Sequence, residues 1–215
     1  MESMAKVKNS KDSKTERAEQ ILDAAAELMG ESGYDGVSAR DIAERAGVNK
    51  ALVFYYWGSK PELFEKVLER YYDAHRDALA PAFKSQGTML ERMHRVLDAY
   101  LNFIEEHRIY PRLVQQQLTA GGPHTDMVRR NLAAFFDWIT EALAEVSPKT
   151  GPLAAKHFYL SISGIVTNYF TVTPALAEQW GTDPMSPAAL AERREHLHWL
   201  VDTLLVRLQE ETAGE

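Results

Sequence analysis

The chain has no cysteine. Disulfide frameworks, thiolate nucleophiles and cysteine-bound metals are therefore excluded. Long apolar runs are missing as well, and no stretch reaches the roughly 18 apolar residues of a membrane helix. The opening "MESMAKVKNSKDSK" lacks the apolar segment of a secretory signal. These absences predict a soluble protein of the cytoplasm. Period-2 alternation is absent too, so nothing predicts a strand. The sequence contains no G-x-G-x-x-G, P-loop or G-x-S-x-G, and its histidines never fall in H-x-x-x-H or H-E-x-x-H spacing. His196 and His198, two apart on a helix, face different directions. Glu105 and Glu106 beside His107 read as a solvated helix end. No catalytic set, metal site or cofactor is expected.

What is present is ordinary for a globular domain: 215 residues, 45% hydrophobic and 26% charged. That length supports a real apolar core. The formal net charge of −7 argues at first sight against a polyanionic partner. Its distribution matters more. Residues 1–17 carry five basic and three acidic groups, residues 18–35 five acidic and no basic, and residues 36–60 four basic and two acidic. Two locally basic patches thus sit on an acidic protein. Solvated surface charge is the plain reading of such patches.

Apolar residues recur at three- and four-residue steps. Residues 15–32 form a predicted helix with Ala18, Ile21, Leu22, Ala25, Leu28 and Met29 on one stripe and Gly33 as its stop. Ser38 caps a short helix through Ala46, with Asp41 completing a capping box. Gly47 ends it. Asn49 caps a third helix to about Tyr56. Ser59 caps a long fourth, with Pro61 in its first turn and Glu62 at N3. After Pro81 the pattern predicts helices near 88–106, 109–119, 124–146, 151–173 and 187–211, separated by "SQGT", "AGGPH", "SPKTGP" and "PALAEQWGTDPMSP".

The third helix contains "FYYW", four adjacent aromatics. By helical angle Val53 and Trp57 share a face suited to packing on Ile42 and Leu22. Ala51, Leu52 and Tyr55 point roughly the other way, flanked by Lys50 and Tyr56. Two short helices joined by a glycine turn make a helix-turn-helix, whose second helix lies in the DNA major groove. Small Ala51 permits close approach, Leu52 suits a thymine methyl, and Lys50 reaches guanine or phosphate. Tyr55 and Tyr56 can bring hydroxyls to phosphates, and Lys60 adds charge at a helix amino end. Arg40 can reach a guanine edge. An outward aromatic stripe serves a partner protein equally well, and periodicity does not choose between the two.

The stretch "TERAEQILDAAAELMGESGYDGVSARDIAERAGVNKALVFYYWGSKPELFEKVL", Thr15 to Leu68, resembles the DNA-binding domain of the TetR family of transcriptional regulators. The likeness lies in "ILDAAAELM", "GYDGVSARDIAERAGV" and "LVFYYWGSKPELF" at matching offsets, about a quarter of the chain. It implies DNA contacts at Ser38, Arg40, Asn49, Lys50, Ala51, Leu52, Tyr55, Tyr56 and Lys60. Phe54 stands where the family usually has tyrosine, and Leu52 where threonine or serine is common. Both departures bear on which operator is read.

The resemblance implies an all-α fold. Its parts would be a lysine-rich flexible arm (1–14), a three-helix reading head (15–60) and a linking helix (59–80) into a bundle that binds a small-molecule effector and forms a homodimer (61–215). Candidate effector contacts are Phe103, His107, Gln116, Phe135, Trp138, Asn168 and Tyr169, each also read as ordinary core or surface. Candidate dimer residues are Ser161, Gly164, Leu197, Val201, Leu204 and Leu208, because the last helix is apolar on more than one face. Lys6, Lys8, Lys11 and Lys14 fit a solubilising tail better than a phosphate-binding strip. The expected function is a repressor released from a pseudo-palindromic operator by its effector. The rival is a nucleoid or cell-division factor whose bundle binds a protein.

Overall fold

The computed structural model describes the backbone of residues 2–120 and 124–213, and side chains over 14–119 and 124–211. Among the described residues there are helices and no strands. α1 spans Glu2–Ser32, α2 Ala39–Arg45, α3 Lys50–Trp57 and α4 Lys60–Phe83. They are followed by α5 Met89–Glu106, α6 Tyr110–Ala120, α7 Thr125–Ala142, α8 Ala155–Val172, α9 Ala177–Trp180 and α10 Pro187–Ala213. A 3-10 turn, Thr173–Leu176, joins α8 to α9.

The chain packs as two compact units. The first is Met1–Asp73 with Arg112–Ala120, and the second is Ala74–Pro111 with Gly121–Glu215. The division falls inside α4. The physical reason is burial: Leu63, Phe64, Val67, Leu68 and Tyr72 of α4 belong to the core of the first unit.

That core is built on α1. Ile21, Ala25 and Met29 are fully buried, with Leu22, Ile42 and Val53 closing around them. Each of the larger side chains among them contributes about 1.5–3 kcal/mol through burial. Ion pairs fix the rim: Arg45 holds Glu27 at 3.0 Å and Glu31 at 3.7 Å, while Arg70 holds Asp23 at 2.6 Å and Glu19 at 3.6 Å. The acidic run of residues 18–35 is thus largely engaged with arginines of α2 and α4. Exposed pairs of this kind add little stability individually, but they set how α2 and α4 lie on α1.

In the second unit, α5 and α10 run antiparallel with a polar seam. His94 pairs with Asp202, Asp98 with His198 at 2.8 Å, and Asn102 with Arg194 at 2.8 Å. Each step of four along α5 is matched by a step of four back along α10, which is the register of an antiparallel pair. Arg194 also reaches Asp98 and Glu105, each at 2.8 Å. Partial burial pushes the Asp98 carboxyl up, but hydrogen bonds from His198 and Arg194 outweigh it and leave the group below the ordinary carboxylate value.

Several boundaries differ from the sequence reading. α1 runs back to Glu2, because no glycine or proline interrupts residues 2–29. Lys6, Lys8 and Lys11 lie outside the residues whose side chains are described. α4 passes through Pro81, which lies in its last turn and forfeits one backbone bond. α7 stops at Ala142 and α8 starts at Ala155. Pro148 disfavours helical backbone at Ser147, whose hydroxyl donates to Leu153 O at 2.8 Å and closes the connection. The breaker before α10 holds the 3-10 turn and α9.

Candidate nucleic-acid interface

The helix-turn-helix is assembled by side-chain caps. The Ser38 hydroxyl accepts from the backbone N–H groups of Arg40 and Asp41, both at 3.2 Å, and the Ser38 N–H donates to Asp41 Oδ2 at 2.8 Å. That reciprocal box starts α2. It also holds the Asp41 carboxyl below its ordinary range, chiefly through the Ser38 backbone bond. Gly47, at φ 65, makes the left-handed turn between the helices, a conformation only glycine adopts cheaply. Asn49 Oδ1 then accepts from Leu52 N at 3.0 Å and starts α3.

α3 is anchored at two points. Val53 is buried, and the Trp57 indole N–H donates to the Ala18 carbonyl of α1 at 3.2 Å. Tryptophan at position 57 therefore does more than pack, since it pins the recognition helix to α1. The opposite face is open. Lys50 and Ala51 are exposed, Leu52 and Tyr56 half-buried, and Tyr55 is 67% exposed. Phe54 is 41% exposed and lies under the Lys50 ammonium, 5.6 Å from ring centroid to Nζ. Tyr55 and Tyr56 meet edge-on at 5.2 Å.

Each flanking basic group is held by a neighbour. Arg40 is exposed, its Nε held by Glu44 at 2.9 Å while the rest of the guanidinium fork projects outward. Lys60 sits 4.2 Å over the Tyr34 ring, which fixes the ammonium without cancelling its charge. Ser38 and Asn49 are exposed, but their side-chain oxygens already accept cap bonds. Eight of the nine sequence-derived contact residues thus lie on α2, α3 and their two N-caps, and the ninth, Lys60, opens α4. A cationic, aromatic-bearing ridge with one small residue at its first turn matches the dimensions and donors that a major groove accepts.

The residues suggested for an effector do not stay together. Phe103, His107, Phe135 and Trp138 gather around a group the sequence reading missed, His75. Its ring lies 4.6 Å from Phe103, 4.0 Å from Phe135, 5.4 Å from Tyr100 and 5.5 Å from Tyr110. His107 stacks on Phe103 at 4.4 Å, and Trp138 meets Phe135 at 5.5 Å. His75 is 6% exposed, and its Nε2 has no partner. Burial, then the nearby His107, push its pKa down to about 3. The signal was available: His75 continues the apolar stripe Leu68, Tyr72, Leu79 at steps of four, three and four.

Gln116 belongs to the first unit instead, where its amide packs on Gly33 and its Oε1 is buried. Asn168 is exposed on α8. The Tyr169 hydroxyl donates to Pro184 O at 2.6 Å and its ring lies 5.1 Å under Arg193, so it serves the connection into α10. The dimer residues divide likewise. Leu197, Val201 and Leu208 are buried within the protomer. Ser161, Gly164 and Leu204 are exposed, and the larger exposed groups on those helices are Leu160, Trp199 and Val206.

Residues 21–67 match the family described as bacterial regulatory proteins, tetR family. The transcriptional activator FasR of Mycolicibacterium smegmatis is 33% identical over 90 residues, 42% of this chain and 41% of FasR, so the chain spans less than half of that relative. The probable transcriptional regulator YttP of Bacillus subtilis is 24% identical over 183 residues, 81% of this chain and 86% of YttP. A TetR-like transcriptional regulator from Rhodococcus sp. RHA1 has the same fold, with a TM-score of 0.68 at 22% identity over 93% of this chain and 97% of that one. Residues 21–67, which hold the helix-turn-helix head, thus match the TetR family's DNA-binding region, and the likeness to YttP and to the fold of the Rhodococcus structure extends through the second unit.

Proposed function

We propose that this regulator is a homodimeric repressor that reads a pseudo-palindromic operator and is released by a small molecule bound in the second unit. The observation that carries the reading is the open face of α3, where Lys50, Ala51 and Tyr55 are exposed while Val53 and Trp57 hold the helix from behind. A two-fold pair would set two such helices about 34–36 Å apart, one turn of duplex. Exposed Leu160 and Trp199 on α8 and α10 support a partner copy on that side.

Release needs a link between effector and head. α4 and α6 both cross from one unit to the other, at 73/74 and 111/112. Their second-unit ends meet in the aromatic cluster, where the Tyr110 hydroxyl lies 3.5 Å from His75 Nδ1. A ligand that rearranged this cluster would act on both helices together. To move a population from 1:99 to 99:1 it must bind one state more tightly by about 5.5 kcal/mol.

The test is selection of bound duplexes from a random library, followed by a reporter driven through the recovered sequence. Recovery of inverted half-sites about one turn apart, with expression rising when the gene for the regulator is deleted, is the expected outcome. Absence of any enriched sequence sinks operator reading, and falling expression on deletion makes the protein an activator. Exposed Val172, Leu176 and Trp180 favour a second reading, in which the bundle docks a protein as in a nucleoid or cell-division factor. That reading requires a DNA-bound form that recruits the partner without losing the duplex.

A further inference from the structure

We infer that the DNA-binding surface continues from α3 onto α1, where Lys14 and Tyr55 form a two-donor clamp for a single backbone phosphate. The inference rests on α3 being the DNA-facing helix and adds to it a residue outside the helix-turn-helix.

The geometry begins with the Trp57 anchor. Its indole N–H bonds the carbonyl of Ala18, and Lys14 lies one helical turn before Ala18 on the same face of α1. The bond that pins α3 to α1 therefore also fixes where Lys14 stands relative to α3. Lys14 Nζ is 3.4 Å from the Tyr55 hydroxyl and 5.9 Å from the centre of its ring. Both residues are exposed, and Tyr55 is on the face that α3 leaves open.

The chemistry of the pair points to an anion. An ammonium has three donors and no acceptor, and a tyrosine hydroxyl that accepts from it still has its own proton to give. Lys14 has no carboxylate within ion-pair distance among the described residues, and the Tyr55 proton has no acceptor there. Two convergent donors without an acceptor suit a phosphate oxygen, which takes charge-assisted bonds from both. The surrounding charge agrees. The acidic groups of α1 from Glu19 to Glu31 are drawn to Arg70 and Arg45 on α4 and α2, and among the described residues before Ala18 the cations Lys14 and Arg17 outnumber the single carboxylate Glu16. A phosphate contact positions the head along the duplex and carries no base preference of its own.

The experiment is a fluorescence-anisotropy titration of the full chain with a selected duplex and a scrambled duplex between 50 and 200 mM salt. Wild type, Lys14→Ala, Lys14→Arg, Tyr55→Phe and the Lys14→Ala/Tyr55→Phe double variant are compared. Losing one phosphate contact lowers the salt slope by about 0.9, so the affinity gap between wild type and Lys14→Ala narrows about 3.5-fold across that range. The loss falls equally on both duplexes, Lys14→Arg restores the slope, and the double variant loses less than the product of the two single losses. Equal slopes for wild type and Lys14→Ala overturn the assignment. So does a loss that Lys14→Arg fails to restore, or fully independent effects of the two substitutions. Thermal unfolding of each variant separates a destabilised α1, which would lower the midpoint, from a lost contact, which would not. A wild-type chain that binds neither duplex removes the underlying reading of α3 instead.

Discussion

Residues in the reading head fall into anchors and readers, and substitution separates them. Arg40 is exposed and Lys60 half-buried, and they differ in chemistry: the fork of Arg40 fits a guanine edge, whereas Lys60 over Tyr34 presents a point charge. Arg40→Ala is expected to weaken the selected duplex by about 1–3 kcal/mol and to relax preference at one position, read by competition against single-base variants. Lys60→Ala is expected to weaken all duplexes alike and flatten the salt dependence by about one unit, and equal slopes would remove its phosphate role. At this scale the sequence was most legible where a cap or a helical angle constrains a side chain. Ser38, Asp41, Asn49, Val53 and Trp57 stand as spacing predicts. The Trp57–Ala18 bond was not legible, because its acceptor is a backbone carbonyl 39 positions away. His75 was missed because a histidine inside an apolar stripe carries no motif.

Elements show the same division between local and distant causes. Helix existence followed from three- and four-residue periodicity, and most starts followed from caps. The Thr88–Glu91 box that opens α5 has the same form as the Ser38–Asp41 box, yet "SQGT" reads first as a breaker. The ends of α7 and α8 were less legible, since they depend on how Ser147 and Pro148 close a turn rather than on periodicity. The seam between α5 and α10 was invisible to periodicity, because its partners are about 100 positions apart. α4 carries a pH-dependent term. Burial depresses the His75 pKa to about 3, so the folded protein holds a neutral imidazole where the unfolded chain, titrating near 6.5, takes up a proton. Stability is therefore expected to be full above about pH 6.5 and to fall by up to about 1.4 kcal/mol per unit as pH drops towards 3. Denaturant midpoints at pH 7, 5.5 and 4.5 check this: His75→Phe, which keeps an aromatic among Phe103 and Phe135, is expected to show a shallower fall. Parallel curves for the two proteins would contradict a neutral buried His75.

For the whole molecule, the decisive features are the two units, the two helices that run through both, and the apolar groups exposed on α8 and α10. The packing of Leu63 to Tyr72 carries the first unit into α4, a continuity that periodicity along one helix does not reveal. Likewise α10 reads as apolar on several faces, and only burial shows that Leu197, Val201 and Leu208 face inward while Trp199, at 60% exposure, faces out. Trp199→Glu is expected to shift a dimer towards monomer in sedimentation and to weaken operator binding, with folding unchanged. An unaltered sedimentation profile would move the partner surface elsewhere. The central claim, that the open face of α3 enters a groove of duplex DNA, is tested most directly by measuring the affinity of Ala51→Glu for the selected duplex beside its thermal unfolding. Ala51 is exposed at the first turn of α3, so a carboxylate there costs the fold little but meets the groove head-on. A loss of at least about a hundredfold in affinity, with an unchanged unfolding midpoint, is the expected result; wild-type affinity in the folded variant would contradict it.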